Sequence, residues 1–161
     1  MTFENLNLTP AILKALIDQN YTEPTSIQEK AIPLVLNHHD VLGSAQTGTG
    51  KTAAFAIPII QHMEKDAQQS HGRRRVSALV VTPTRELAIQ IGESFTAYAK
   101  YTQIKNTVIF GGVKQGSQVD AVRRGVNVLV ATPGRLLDLM NQGHITQNDV
   151  NYFVLDEAVR M

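Results

Sequence analysis

The sequence contains no cysteine. A disulfide framework and a thiolate metal site are therefore both excluded. No apolar run approaches the roughly 20 residues that a membrane-spanning helix requires. The first residues, Met1 to Thr9, carry Glu4 and lack the basic stretch of a secretory leader. These absences give the expectation of a cytoplasmic chain with no membrane partner. Charge of one sign is equally scarce: the formal net charge over 161 residues is +1. That is too small for a general polycation, so any nucleic-acid contact must come from local placement of donors. The histidines, His38-His39, His62, His71 and His144, lack metal-ligand spacing, and His38-His39 reads as part of a turn. What is present is ordinary globular composition, 43% hydrophobic and 18% charged, at a length that suits one domain.

Along the chain, Thr9-Pro10 opens a helix, with threonine as N-cap and proline at the first helical position. Ile12, Leu13, Leu16 and Ile17 then recur at helical spacing, and Asn20 is a plausible left-handed terminator. Ser26 and Glu29 have the spacing of a capping box, predicting a second helix from Ser26, with Pro33 bending it or marking an irregular turn. From residue 40 the pattern becomes strand, loop, helix. Strands are expected at Val41–Ser44, Ala78–Thr82, Thr107–Phe110, Val126–Ala131 and Tyr152–Leu155. Helices are expected at about Lys51–Lys65, Arg85–Tyr101, Gln115–Arg124 and Gly134–Gln142. Several strands are continuous apolar runs, which suits burial on both faces of a parallel sheet. The alternation implies an α/β fold with right-handed crossovers. Asp66–Arg75, polar and ending in three arginines, reads as an exposed basic loop.

One segment carries specific chemistry. Strand Val41–Ser44 runs into Ala45-Gln46-Thr47-Gly48-Thr49-Gly50-Lys51-Thr52, and a helix follows. Backbone N–H groups freed by Gly48 and Gly50 can wrap phosphate oxygens, and the helix N-terminus adds partial positive charge. Lys51 supplies a charge for the β- and γ-phosphates of ATP, and Thr52 a hydroxyl for Mg²⁺. Ala45 stands where the usual pattern has its first glycine, which a negative φ tolerates. A phosphate loop of this kind needs a carboxylate after another buried strand. Asp156 offers one, to hold the metal through water, and Glu157 would orient and deprotonate the attacking water. The same two carboxylates could instead cap a helix.

Six segments then stand in order: Tyr21-x-x-Pro24-Thr25-x-Ile27-Gln28, AQTGTGKT, Pro83-Thr84-Arg85-Glu86-Leu87-Ala88, Gly111-Gly112, Thr132-Pro133-Gly134-Arg135 and Asp156-Glu157-Ala158. Their order and spacing resemble the first RecA-like domain of bacterial-type DEAD-box RNA helicases. The resemblance implies a RecA-like P-loop NTPase fold, a mostly parallel sheet with helices on both faces, and an ATP-dependent RNA helicase that hydrolyses ATP to separate strands. It divides the chain into a helical extension with the Q motif, residues 1–39, and a RecA-like ATP-binding domain, residues 40–161. It implies that Gln28 reads the adenine edge, that Tyr21 stacks on the adenine ring, and that Phe3 supports this pocket. Asn20 replaces the family's usual glycine. Thr84, Arg85, Gly112, Thr132, Gly134 and Arg135 match the RNA-contacting motifs. Contacts of that kind reach sugar and phosphate, so little sequence preference is expected. Thr84 and Thr132 can also serve as helix N-caps, and Arg85 and Arg135 as structural ion-pair residues.

Two departures stand out. Val159 occupies the position of the family's last motif II aspartate, which couples hydrolysis to unwinding. That suggests a chain that binds ATP but has lost the coupling link. A non-processive, ATP-gated RNA clamp is the corresponding alternative, and a P-loop ATPase acting on DNA is another. The chain also ends at Met161, before the family's Ser-Ala-Thr motif and second RecA-like domain. The expectation is a C-terminally truncated first domain, weakly active by itself, with a gap between strands Val41–Ser44 and Tyr152–Leu155.

Overall fold

Local chemistry sets the first helix. In the computed structural model, which describes residues 1–41, 50–69 and 74–157, α1 runs Pro10–Asp18 with Thr9 as N-cap and proline in its first turn. It ends where Asn20 takes φ 60°. The Asn20 amide donates to Ile17 O and the Tyr21 amide to Leu16 O, at 2.9 Å each. This is a Schellman arrangement, which asparagine tolerates better than most residues because αL suits its short polar side chain.

α2 spans Ser26–Leu36 and is continuous through Pro33. Its N-cap is Thr25, and the capping box pairs Thr25 with Gln28. The expected Ser26–Glu29 box is thus displaced by one residue. α3 spans Lys51–Gln69, with Pro58 inside it. Its last turn is thus helical where an exposed loop from Asp66 was expected. Lys65, Asp66, Ala67 and Gln68 are polar or small and exposed, and alanine, lysine and glutamine are good helix formers without any packing partner. A short 3-10 helix at Phe3–Leu6 precedes α1 and buries Phe3 and Leu6. It was not expected from the sequence.

The remaining elements are β1 (Ala78–Val81), α4 (Arg85–Tyr98), β2 (Asn106–Ile109), α5 (Gly116–Arg124), β3 (Val128–Ala131), α6 (Pro133–Asn141) and β4 (Tyr152–Leu155). Among the described residues the four strands form one sheet in the order β2-β3-β1-β4, parallel throughout. β1 and β3, flanked on both sides, are buried along their whole length, as their uninterrupted apolar sequences require. On one face Leu79, Val81, Ile109, Leu129 and Ala131 pack with Val119 of α5 and with Leu136 and Leu139 of α6. On the other, Gly92 of α4 lies against Val108, and a Cβ built on the glycine would fall 2.4 Å from Val108 Cγ2. Gly92→Leu is therefore expected to force helix and strand apart and to lower stability by about 1–3 kcal/mol, read as a shifted urea midpoint. β4 lies at the edge of the described sheet. Phe153 and Leu155, on the α5/α6 face, are exposed. Of the expected fifth strand, residues 42–44 lie outside the described residues.

The chain divides into two compact units, Met1–Ser70 with Ser94–Gln103, and His71–Glu93 with Ile104–Met161. In the first, α2 packs along α3. Gln61 of α3 holds the entry to α1: its Oε1 accepts from Thr9 N at 2.9 Å and its Nε2 donates to Asn7 O at 3.0 Å. No helix among the described residues is long and apolar enough to cross a membrane.

Candidate functional site

In the first unit the Schellman turn after α1 delivers Tyr21 to an aromatic group. Its ring stacks on Phe3, centroids 6.2 Å apart at 21°. Its hydroxyl lies 2.9 Å from that of Tyr98. Burial, and then the bond to Tyr21, push the Tyr98 phenol well above its ordinary value of 10.0. Folding thus favours the protonated phenol. The stabilisation is complete below about pH 10 and is lost as pH rises toward the higher folded value. Tyr98→Phe is expected to cost about 1 kcal/mol at neutral pH. It should also flatten the loss of stability above about pH 10, both read from urea melts across pH.

Gln28, on α2, is buried. Its Oε1 accepts from the Thr25 amide at 3.0 Å, and its Nε2 donates to the Gly50 carbonyl at 3.1 Å. A side-chain amide has two N–H groups and two lone pairs, so these bonds use one of each. Gly50 immediately precedes α3, and its carbonyl also accepts from Ala54 N at 3.1 Å. Gln28 is thus tied to the residue just before Lys51 and Thr52, which open α3. Gly50 has φ +81°, and a Cβ there would lie 2.2 Å from Gln28 Nε2. Ala45, Gln46, Thr47, Gly48 and Thr49 lie outside the described residues, as does Val159.

In the second unit the strand registers align the motif residues. Val81 pairs with Ala131 and with Leu155, and Ile109 pairs with Ala131. Because all four strands are parallel, the residues that follow leave from a single edge of the sheet. They are Thr82 to Thr84, Phe110 to Gly112, Thr132 to Gly134, and Asp156. Hydrogen bonds continue one step beyond, from Thr82 N to Ala131 O, Thr132 N to Ile109 O and Asp156 N to Val81 O, at 2.9–3.1 Å. The carboxyl edge of an open α/β sheet is where such folds carry their ligands.

Thr84 caps α4, its Oγ1 accepting from Leu87 N at 3.2 Å. Thr132 caps α6 in extended backbone with no side-chain cap bond. The Arg85 guanidinium lies 4.7 Å from the centroid of the Phe110 ring. Arg135 donates from Nη1 to Gln118 Oε1 at 2.9 Å and from Nη2 to Val113 O at 2.7 Å. Asp156 is buried, and Glu157 takes φ 57°, so the chain turns sharply after β4. Thr52 carries a hydroxyl and Asp156 a carboxylate, oxygen donors of the class that Mg²⁺ takes. Among the described residues no group of three or more His, Cys, Asp or Glu could hold a metal.

Residues 25–161 match the family model for the DEAD/DEAH box helicase. The chain belongs to the DEAD/DEAH box helicase family. Its relatives include the DEAD-box ATP-dependent RNA helicase CshA of Bacillus subtilis, 42% identical over 161 residues, covering 100% of this chain and 31% of CshA. The ATP-dependent RNA helicase SrmB of Haemophilus influenzae is 43% identical over 159 residues, 99% of this chain and 36% of SrmB. The probable ATP-dependent RNA helicase DDX17 of Homo sapiens is 41% identical over 159 residues, 99% of this chain and 22% of DDX17. The chain thus spans about a third or less of the length of these curated relatives. Within this DEAD/DEAH box domain, sequence reasoning missed Phe110, Gln115, Gln118 and Gln142 beside the Gly111–Gly112 loop. No motif marks them, because a glutamine in a polar helix reads the same whether or not it bonds to a loop.

Proposed function

We propose that this chain is the nucleotide- and RNA-binding portion of an ATP-dependent RNA helicase that works with a second RecA-like domain of the same protein. The observation that carries the reading is the convergence of Thr84, Gly111–Gly112, Thr132–Gly134 and Asp156 at one edge of a parallel sheet. Residues 1–39 form the extension that recognises adenine. Tyr21, supported by Phe3, stacks on the base, and the second N–H and lone pair of Gln28 address its edge. Residues 40–161 form the RecA-like part. Ala45 to Lys51 cradle the phosphates, Lys51 compensates their charge, and Glu157 orients and deprotonates water. Thr52, and Asp156 through water, would hold Mg²⁺, which would neutralise phosphate charge. Thr84, Arg85, Gly112, Thr132, Gly134 and Arg135 form the face for the RNA sugar-phosphate backbone, so affinity should fall with salt and depend little on base sequence.

The test is a pair of titrations, fluorescent ATP with Mg²⁺ and a labelled single-stranded RNA. Lys51→Ala is expected to weaken nucleotide binding about 10- to 100-fold, the worth of a bond to a charged group. It should leave RNA binding to the nucleotide-free chain unchanged. Equal nucleotide affinity in both proteins would overturn the assignment of the loop. Val159 supports a narrower reading in which hydrolysis is poorly coupled to strand separation. In the full-length protein, Val159→Asp should then raise unwinding per ATP hydrolysed at unchanged nucleotide affinity, and an unchanged ratio would refute it.

A further inference from the structure

Gly111 and Gly112 form the exposed turn after β2, and a Cβ on either would meet nothing within 4 Å. Gly112 has φ +82°, which explains one glycine. Gly111 has neither a positive φ nor a neighbour that excludes a side chain. Its lack of a side chain leaves the backbone there open to close approach from outside.

The carbonyls flanking these glycines are both held. Gln118 of α5 is buried, and its Nε2 donates to Phe110 O at 3.1 Å. Its Oε1 accepts from Arg135 Nη1 at 2.9 Å, and Arg135 Nη2 donates to Val113 O at 2.7 Å. One step on, Gln115 and Gln142 exchange a reciprocal amide pair at 2.7 and 3.0 Å, and Gln142 also donates to Asp138 Oδ1 at 2.9 Å. Arg135, Asp138 and the cap Thr132 belong to α6 or its N-terminus, and Gln142 is its C-cap. The Gly111–Gly112 turn is thus fastened to the helix that begins with Thr132 and Gly134.

We propose that Gln118 is a positioning residue. Together with Arg135 and the Gln115–Gln142 pair, it fixes the backbone from Phe110 to Gln115 in the shape that receives the RNA backbone. The inference rests on the RNA-binding reading above. Preorganisation of this kind raises affinity because the loop need not be ordered at the moment of binding. Arg135 then supports the RNA face from beneath, holding a carbonyl as well as bringing charge near it.

Gln118→Met keeps the side-chain length and removes both bonds. It is expected to raise the Kd for single-stranded RNA about tenfold, at unchanged affinity for fluorescent ATP. Amide hydrogen exchange at Gly111, Gly112 and Val113 should be faster in the RNA-free protein, a readout that a general loss of packing would spread over the whole sheet. Exposed Gln142→Ala, which leaves the buried bonds intact, should weaken RNA about threefold and carries the test if Gln118→Met does not fold. Unchanged RNA affinity and exchange in the variants, with RNA bound by the parent chain, would overturn the positioning role. Failure of the parent chain to bind RNA at all would instead overturn the functional reading.

Discussion

Gly50→Ala is expected to weaken nucleotide binding by about 30- to 100-fold and to lower the melting temperature by several degrees. Two independent effects contribute. The backbone at Gly50 is in the left-handed region, φ +81°, where an L-residue costs about 1–2 kcal/mol. The new methyl also falls 2.2 Å from Gln28 Nε2. That amide is buried at the start of α2 and cannot swing into water without abandoning its bond to Thr25 N. Breaking the Gln28–Gly50 bond costs about another 1 kcal/mol. Because Lys51 and Thr52 follow directly, any displacement at residue 50 moves the proposed phosphate ligands. A double-mutant cycle separates the effects. In a Gln28→Ala background the clash is gone, so Gly50→Ala should retain only its backbone cost. If the alanine is equally harmful in both backgrounds, the Gln28 contact has no part in it. Differential scanning fluorimetry and a fluorescent-ATP titration measure both quantities.

Leu129→Ala should produce the largest loss of global stability, about 2–5 kcal/mol. Leu129 is wholly buried in β3, with β2 on one side and β1 on the other. It packs in the cluster that contains Leu79, Ile109, Leu136 and Leu139. Removing its branched end leaves a cavity whose walls belong to two strands and two helices, and these cannot collapse without breaking the ladder. Domains of this size are stable by about 5–15 kcal/mol, so the variant should unfold at markedly lower urea. The matched control is Phe153→Ser on the same sheet. Phe153 is 57% exposed, and its replacement should change stability by no more than about 0.5 kcal/mol. A similar loss at both positions would mean that the β4 face is covered in solution.

The contrast between these two apolar strand residues marks the limit of what sequence can tell. Leu129 and Phe153 both lie in short apolar runs, and nothing local separates the strand at the centre of the described sheet from the one at its edge. Most of the described helices and strands were legible, though the 3-10 helix at Phe3–Leu6 was not. Thr9-Pro10 started a helix, Asn20 terminated it in the left-handed region, and four apolar runs became parallel strands. The motif segments were legible as well, because their order and spacing mark the family whose model the chain matches. The capping box was not: Thr25–Gln28 and Ser26–Glu29 have equivalent spacing. Gln28 also reaches Gly50, 22 residues on, and that bond belongs to the tertiary structure.

By itself, then, the sequence determined the class of fold and the family. Periodicity, caps and short motifs are local and survive in one dimension. Only the tertiary structure decided the strand order, the alignment of four strand ends at one edge, and the fastening of the Gly111–Gly112 turn by Gln118 and Arg135. Those depend on hydrogen bonds and packing between segments far apart in the chain, whose partners no local pattern names.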